Sequence, residues 1–257
     1  MPVKGEFFQN PGGAAGFYDY QIEHSCRFDK TSNSYINRTL GTVTANTAGT
    51  FSFWWKRGVV DGTIHQLFHT YDGGGINTYY ESDDRLMFTV SNGSNGGENM
   101  YTDDKYRDPT GWTHIVFAVN TNQGSNNDRA KVYINGVDNT SSGLNATINS
   151  GTVFKYNKTS NNVYFGHNIG ATIPPDGYLA EFIHVDGQQL VATDFGEFKN
   201  SVWKPIDYAG SYGAQGARLK FENASDLGND SSGNNNDWSL NNIGPDHQVL
   251  DSPTFGS

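Results

Sequence analysis

An all-β sandwich of two antiparallel sheets is what this sequence predicts, and three observations carry the prediction. Roughly a dozen short apolar or alternating stretches recur along the chain, each bounded by Gly, Asn, Asp, Ser or Pro. Aromatic residues reach 14% although hydrophobic content is only 35%, and there are 31 glycines, a balance that suits short strands joined by polar turns. Third, the stretch from Gly111 to Asp138 reads as a strand, a polar loop and a strand that ends in a tight turn. Trp112 to Val119 is apolar on both faces, as a strand covered on two sides must be. Asn120 to Arg129 is too polar for a core and forms the loop. Ala130 to Ile134 is the return strand, and Asn135-Gly136 supplies the two φ > 0 residues of a type I′ hairpin.

In chain order, residues 1–20 (with NPGGAAGFYDY at their end) read as a flexible lead, 21–250 as a single domain and 251–257 as a tail. Ser25 to Phe28 and Ser34 to Thr39 are short strands around an Asp-Lys-Thr-Ser-Asn turn. Phe51 to Lys56 is the first strong strand, with Phe51, Phe53 and Trp55 on one face and Trp54 on the other. His65 to Thr70, Asn77 to Glu81 and Leu86 to Val90 follow, separated by the turns Asp72 to Gly75 and Ser82 to Arg85. Ser91 to Asn99 and Tyr101 to Pro109 are polar enough to read as loops. After the Gly111 to Asp138 unit, strands are expected around Gly151 to Tyr156, at Asn162 to His167 and, past a Pro174 to Gly177 turn, at Tyr178 to Asp186. Leu190, Val191, Phe195 and Phe198 are the only residues at helix-like spacing, which predicts one or two helical turns within Gln189 to Asn200. Gly210 to Gly216 is a loop, Ala217 to Glu222 a strand, Asp226 to Asp237 a polar turn and Trp238 to Ile243 the last strand.

Composition removes several function classes. The formal charge is −10 and no Lys/Arg cluster occurs, which argues against nucleic acid and anionic membranes as partners. Cys26 is alone, so no intrachain disulfide is available, and a single Cys reads as a small buried residue. The start MPVKGEFFQN has no apolar core of a signal peptide and no run reaches transmembrane length, so cytoplasmic synthesis without standard secretory export or membrane insertion is expected. No P-loop, G-x-S-x-G or G-x-G-x-x-G occurs.

The order SYINRT, FSFWWKRG, GWTHIVFAVN, KVYINGV, GYLAEFIHVDGQQL resembles the concanavalin A-like, laminin-G-like jelly-roll family. That resemblance implies a concanavalin A-like jelly-roll β-sandwich. The two ends, GGAAGFYDYQIEHSCRFD and ARLKFENASDLGNDSSGNNNDWSLNNI, look like those of virion-associated structural proteins of marine bacteriophages. From this follows the expectation of a non-enzymatic virion protein, a fibre, appendage or capsid-surface module made in the host cytoplasm. Its expected partners are other virion proteins and host cell-surface glycan, and homo-oligomers are in keeping with the symmetry of such assemblies. A polysaccharide-degrading enzyme with an unfamiliar site and a purely structural decoration domain are the alternatives.

Family enzymes that cut β-glucans share an E-x-D-x-E strand, whose carboxylates two apart face one sugar bond. Here the acidic strand is Glu181-Phe-Ile-His-Val-Asp186, and a separation of five sends Glu181 and Asp186 to opposite faces, so no catalytic residues are expected. His65 and His69 stand four apart, but on a strand that is ~13 Å, too far to share a metal. His114 and His184, also on strands, read as hydrogen-bonded structural histidines. For carbohydrate the chain offers Tyr71, Tyr79, Tyr101 and Tyr106 amid Asn, Asp and Gly, rings for stacking beside polar groups for hydroxyls, though each also suits loop packing. No cofactor is required. Asp226, Asp230 and Asp237 are hard oxygen ligands suited to a structural Ca²⁺, but they lack the EF-hand register, and Asx-turns explain the same residues.

Overall fold

The computed structural model describes residues 16–71, 75–91, 97–140, 147–167 and 174–255. The expected lead up to residue 15, the Gly-rich turn at 72–74 and the centre of the 91–99 loop lie outside the described residues. Strands β1 (Ser25–Phe28) and β2 (Tyr35–Thr39) flank a turn in which Asn33 takes φ 54°. Strand β3 (Ala48–Arg57) is followed by a meander of β4 (His65–Tyr71), β5 (Gly75–Tyr80), β6 (Arg85–Ser91) and β7 (Gly97–Lys105). Next come β8 (Thr113–Asn120), β9 (Ala130–Ile134) and β10 (Val137–Asp138), with one helical turn, Asn126–Arg129, in the β8–β9 loop. Strands β11 (Asn162–Phe165), β12 (Gly177–Asp186), β13 (Gly196–Lys199), β14 (Val202–Pro205), β15 (Ala217–Leu219), β16 (Ser239–Asn241) and β17 (Gln248–Val249) complete the chain.

All strands but β13 and β14, which pair with each other, form two antiparallel sheets. One runs β10-β9-β8-β3-β12-β1-β17, with β15 added beside β12, and the other runs β16-β2-β11-β4-β5-β6-β7. Alternation along β3 places Phe51, Phe53 and Trp55 between the sheets, where they meet Phe68, Phe165 and Phe182. The rings interlock edge to face, with Phe53 and Phe165 centroids 5.5 Å apart and Phe68 and Phe165 5.0 Å apart. Cys26 is fully buried in this core, and burial pushes its thiol up.

The eight-stranded sheet is covered on its other face as well, as the two-sided apolarity of β8 predicts. Trp54, Val116, Ile183 and Val185 face outward into a second cluster with Phe195, Trp203 and Tyr208. His114 binds this layer: its Nδ1 accepts from Trp203 Nε1–H at 3.0 Å, so its proton resides on Nε2, 2.8 Å from Ser52 Oγ. The Asn135-Gly136 turn has φ 49° and 82°, and Val137 pairs with Ile134 in the expected type I′ hairpin.

Several expected elements differ. Tyr101 to Lys105 is not loop but part of edge strand β7, paired with β6. Only one side of it is buried, through Met100 and Thr102, so its alternation is mostly polar and reads as a loop. No strand forms at 151–156. Phe154 and Tyr156 instead fill the core beside a 3₁₀ turn at Lys155–Asn157, a burial that apolar content alone does not distinguish from a strand. Within 189–200 only Ala192–Asp194 is a 3₁₀ turn, and Gly196–Lys199 pairs with Val202–Pro205 as a hairpin. Its turn residues Asn200 and Ser201 take φ 52° and 64°, a conformation for which Asn-Ser is a weaker signal than Asn-Gly.

Packing also reaches past the expected 21–250 body. Lys204, with a fully buried side chain, pairs with Asp19 and with Glu197 at 2.8 Å. At the other end, Asp251 accepts from Lys56 Nζ at 2.6 Å and Trp112 Nε1 at 3.2 Å, and Thr254 Oγ1 accepts from the backbone of Ile22 at 2.9 Å.

Candidate functional site

The outward side of the seven-stranded sheet carries half-exposed rings at Tyr35, Tyr79, Tyr101 and Tyr164 beside the buried His69, Met87 and Thr89, and the period-two alternation of its strands decides what it displays. In β11, Val163 and Phe165 point to the core and Tyr164 points out. Register puts Tyr164 beside Asn37 of β2 and His69 of β4, and His69 beside Asn77 of β5. Tyr35, two residues before Asn37, lies 6.0 Å from the Tyr164 ring and stacks on His167 at 4.4 Å, the planes 18° apart. Tyr164 and His167 are 5.5 Å apart. This is one aromatic group, half-exposed throughout.

A second group lies farther along the same face. Tyr79 of β5 pairs across with Met87 of β6, and Met87 with Tyr101 of β7, which sets both tyrosines on one row. The Arg85 guanidinium lies 5.0 Å from the Tyr101 ring centroid and is held by Asp83 at 2.8 Å. Asn99 accepts from Thr89 Oγ1 at 2.9 Å and donates to the Tyr101 hydroxyl at 3.4 Å. Burial, then the Glu81 carboxylate and the Tyr101 hydroxyl, push the Tyr79 hydroxyl up, so it is a neutral donor and acceptor at neutral pH.

His69 is buried, 2.9 Å from Asn77 Oδ1 through Nδ1. The oxygen can only accept, so Nδ1 carries the proton, and Nε2 is left as a buried acceptor with no protein partner among the described residues. Burial lowers the His69 imidazole, the Asn77 bond pulls against that, and His167 lowers it further. His167 is itself lowered by burial. Around Tyr35, Tyr164 and His69 the face presents neutral rings and carboxamides, whereas the Tyr101 end adds charge through Arg85, Lys105 and Asp83.

Of the four tyrosines expected to meet sugar, Tyr79 and Tyr101 are brought together here. Tyr106 is not: it packs on the core against Tyr80, centroids 6.4 Å apart, with its hydroxyl buried. Tyr71 closes β4, and its side chain lies outside the described residues. Sequence reading missed Tyr35, Tyr164 and His167 because it looked for binding rings in loops. The signal was present in the alternation Tyr35-Ile36-Asn37 and Val163-Tyr164-Phe165.

The carboxylates of β12 do lie on opposite faces. A bulge between Ala180 and Ile183, with Glu181 at φ 46°, turns Glu181 outward while Phe182 and His184 point into the core. Glu181 accepts from Arg218 Nε at 2.6 Å and from the Tyr20 hydroxyl at 2.9 Å. Burial pushes its carboxyl up, and Arg218 and Tyr20 pull it back down. Asp186 is held low despite its burial by hydrogen bonds from Asn157, from the backbone of Thr44 and Gln215 and from the Thr44 hydroxyl. His184 shares this network through Nε2, 3.0 Å from Asn157 Oδ1. His65 and His69 do not converge, since His65 Nε2 lies 2.9 Å from Asp61 Oδ1.

The polar turn after β15 is organised by hydrogen bonds from its own N–H groups. Asp230 accepts from the backbone of Arg218, Ser232 and Asn236 at 2.8, 2.9 and 2.8 Å. Asp226 caps Gly228 at 3.1 Å, and Asp237 accepts from the backbone of Asp230 at 2.8 Å. The bonds from Gly228 and Ser232 are the Asx-turns that the sequence also allowed. Among the described residues no three His, Cys, Asp or Glu side chains gather as a metal cluster. The cation set amid these carboxylates is Arg38, whose charge interacts with Asp230, Asp237 and Asp186 and whose guanidinium bonds Asn236 and Gln215. Asp226, Asp230 and Asp237 thus do not present a converged Ca²⁺ site.

The family model for the concanavalin A-like lectin/glucanases superfamily matches residues 29–186, more than half the chain. The chain belongs to the concanavalin A-like lectin/glucanase superfamily. Among solved structures, a candidate carbohydrate binding protein from Bacteroides ovatus is similar at 15% identity, with TM-score 0.59, over 90% of this chain and 60% of that one. The LG4-5 domains of the mouse laminin α1 chain are similar at 11% identity and TM-score 0.47, over 80% of this chain and 49% of that one. A heptameric SAP-like pentraxin from Limulus polyphemus is similar at 16% identity and TM-score 0.47, over 67% of this chain and 80% of that one. At these identities the likeness is one of fold. No curated protein matches the chain. The superfamily match ends at Asp186, so the cover on the outer face of the eight-stranded sheet, from Ala192 to Tyr208, lies beyond it.

Proposed function

We propose that this superfamily member binds carbohydrate on the open face of its seven-stranded sheet and does not cleave it. The observation that carries this reading is the gathering of two half-exposed aromatic groups on one outward sheet surface, Tyr35/Tyr164/His167 and Tyr79/Tyr101, with Asn37, Asn77 and Asn99 between and beside them. Aromatic faces stack on the apolar side of a sugar ring, and carboxamides meet its hydroxyls in both directions. Rigid strands hold the rings, so little side-chain entropy is lost on binding. The superfamily membership and the Bacteroides ovatus structure, described as a candidate carbohydrate binding protein, support the same ligand class.

Binding without catalysis is supported by the state of the two acidic groups of β12. Glu181 is engaged by Arg218 and Tyr20 on one face, and Asp186 by Asn157, Thr44 and Gln215 toward the other. A role on a virion, with host glycan or neighbouring virion subunits as partner, rests on the resemblance of the two chain ends alone. Detection of the protein on intact particles is its test. The binding reading is tested on a glycan array with the unaltered protein, Tyr79→Ala and Tyr164→Ala. A defined set of glycans bound by the unaltered protein and lost in both variants, with melting temperatures retained, is expected. No bound glycan, or binding indifferent to both substitutions, refutes it.

A further inference from the structure

A second recess lies on the opposite side of the sandwich, on the outer face of the eight-stranded sheet. Strand β9 sends Lys131 and Tyr133 outward around the buried Val132. The β8–β9 loop raises one bank through Gln123 and Asp128, and the segment after β12 raises the other through Gln189, Leu190 and Val191. Together they border an open recess of about 290 Å³, room for one ring-sized ligand at the lower end of small-molecule sites.

Both banks are built before any ligand arrives. Arg129 clamps the loop by donating to the carbonyls of Gln123 at 2.8 Å, Gly124 at 3.3 Å and Ile148 at 2.6 Å. Across the recess, Thr50 Oγ1 donates to the Gln188 carbonyl at 2.8 Å and accepts from Leu190 N at 2.9 Å. The Gln189 carboxamide ties the banks together, donating to the Asp128 carbonyl at 2.8 Å and accepting from Gln123 Nε2 at 3.2 Å. Such preorganisation removes the ordering cost that weakens sites made of loose loops.

The lining has the chemistry of polyol recognition. The half-buried Tyr133 ring gives an aromatic wall, and Leu190 with the exposed Val191 gives an apolar one. Lys131 Nζ stands 3.3 Å from Asp128 Oδ1, an ammonium and a carboxylate side by side, spaced to meet neighbouring hydroxyls as donor and acceptor. An anionic ligand meets an unfavourable field, because Asp138 stands 4.0 Å from the same lysine. Asp138 and Asp194 also help burial push the Tyr133 hydroxyl up.

We propose that this recess is a second binding site, for a single uncharged sugar residue, independent of the tyrosine face. Where both sites are occupied the monomer is bivalent, and it links polysaccharide chains without first forming an oligomer.

The test follows backbone amide NMR shifts during titration with methyl β-galactoside, methyl α-mannoside and N-acetylglucosamine, beside glucuronic acid and sialic acid. Saturable shifts at residues 123–133 and 188–191 are expected with at least one neutral probe. Affinity falls about tenfold in Asp128→Ala and in Gln189→Ala, the cost of one or two lost polar contacts. It is unchanged in Tyr79→Ala, which separates this site from the sheet face and lets either fail alone. Both recess variants alter exposed or rim groups, and a retained melting temperature confirms their fold. Absence of saturable shifts with every neutral probe overturns the proposal. So does tighter binding of the acidic sugars, or a shift abolished by Tyr79→Ala and kept in Gln189→Ala.

Discussion

Two histidines buried in the sheets make the protein acid-labile in a way that can be worked out beforehand. His114 and His184 are both fully buried, and desolvation drives them down to about 3 and about 4. Unfolding returns each to about 6.5. A histidine depressed in the folded state contributes stability that is present above the unfolded value and lost as pH falls toward the folded one. Between pH 6 and 5 the unfolded chain holds on average about 1.7 protons at these two sites and the folded chain almost none. At 1.36 kcal/mol per proton per pH unit, stability falls by about 2 kcal/mol over that interval. His69 and His167, also lowered, add to the same sign. Urea unfolding at pH 6.0, 5.5 and 5.0 measures the slope, and His114→Gln removes one of the two protons from it. Stability independent of pH over this range, or a slope unaltered in His114→Gln, would refute the tautomer and burial argument.

Arg218→Met leaves Glu181 buried without its cation, and a loss of about 3–5 kcal/mol is expected by chemical denaturation. Because burial already raises Glu181 and its counter-charge is then gone, the loss shrinks toward pH 4.5 and grows as pH rises. A loss constant from pH 5 to 8 would point to packing instead. Gly136→Ala places a Cβ 2.3 Å from the Trp203 ring at φ 82°, so a drop of more than about 2 kcal/mol in unfolding free energy is expected, and an unchanged Tm counts against the hairpin geometry. Calcium added to the chelated protein is expected to leave its Tm unchanged, since Asp230 and Asp237 are already hydrogen-bonded within their turn. A saturable rise would restore the calcium site.

Much of the fold was legible in residue order because one-sided and two-sided burial leave different patterns. β8 is apolar on both faces and is packed on both, while Asn135-Gly136 specifies its hairpin through φ > 0 at two successive residues. Legibility ended where a side chain's partner comes from far along the chain. Strand β7 reads as a loop because its buried side rests on Met100 and Thr102 alone. Phe154 and Tyr156 are apolar enough for a strand, yet the gap they fill is created by Phe51 and Phe117 from other strands.

The candidate site divides in the same way. Sequence by itself determined the sandwich, the burial of Cys26, the structural place of His114 and the separation of Glu181 from Asp186, since each follows from period-two alternation or from a single residue's chemistry. Only tertiary structure decided that Tyr35, Tyr79, Tyr101 and Tyr164 share one open face while Tyr106 turns to the core. Strand order in the sheet, β2-β11-β4-β5-β6-β7, is a matter of which distant segments pair, and no local pattern along the chain encodes it. The Asp226 to Asp237 turn shows the same limit: its composition suits calcium, but Arg38, nearly two hundred residues earlier in the chain, brings a positive charge beside Asp230 and Asp237.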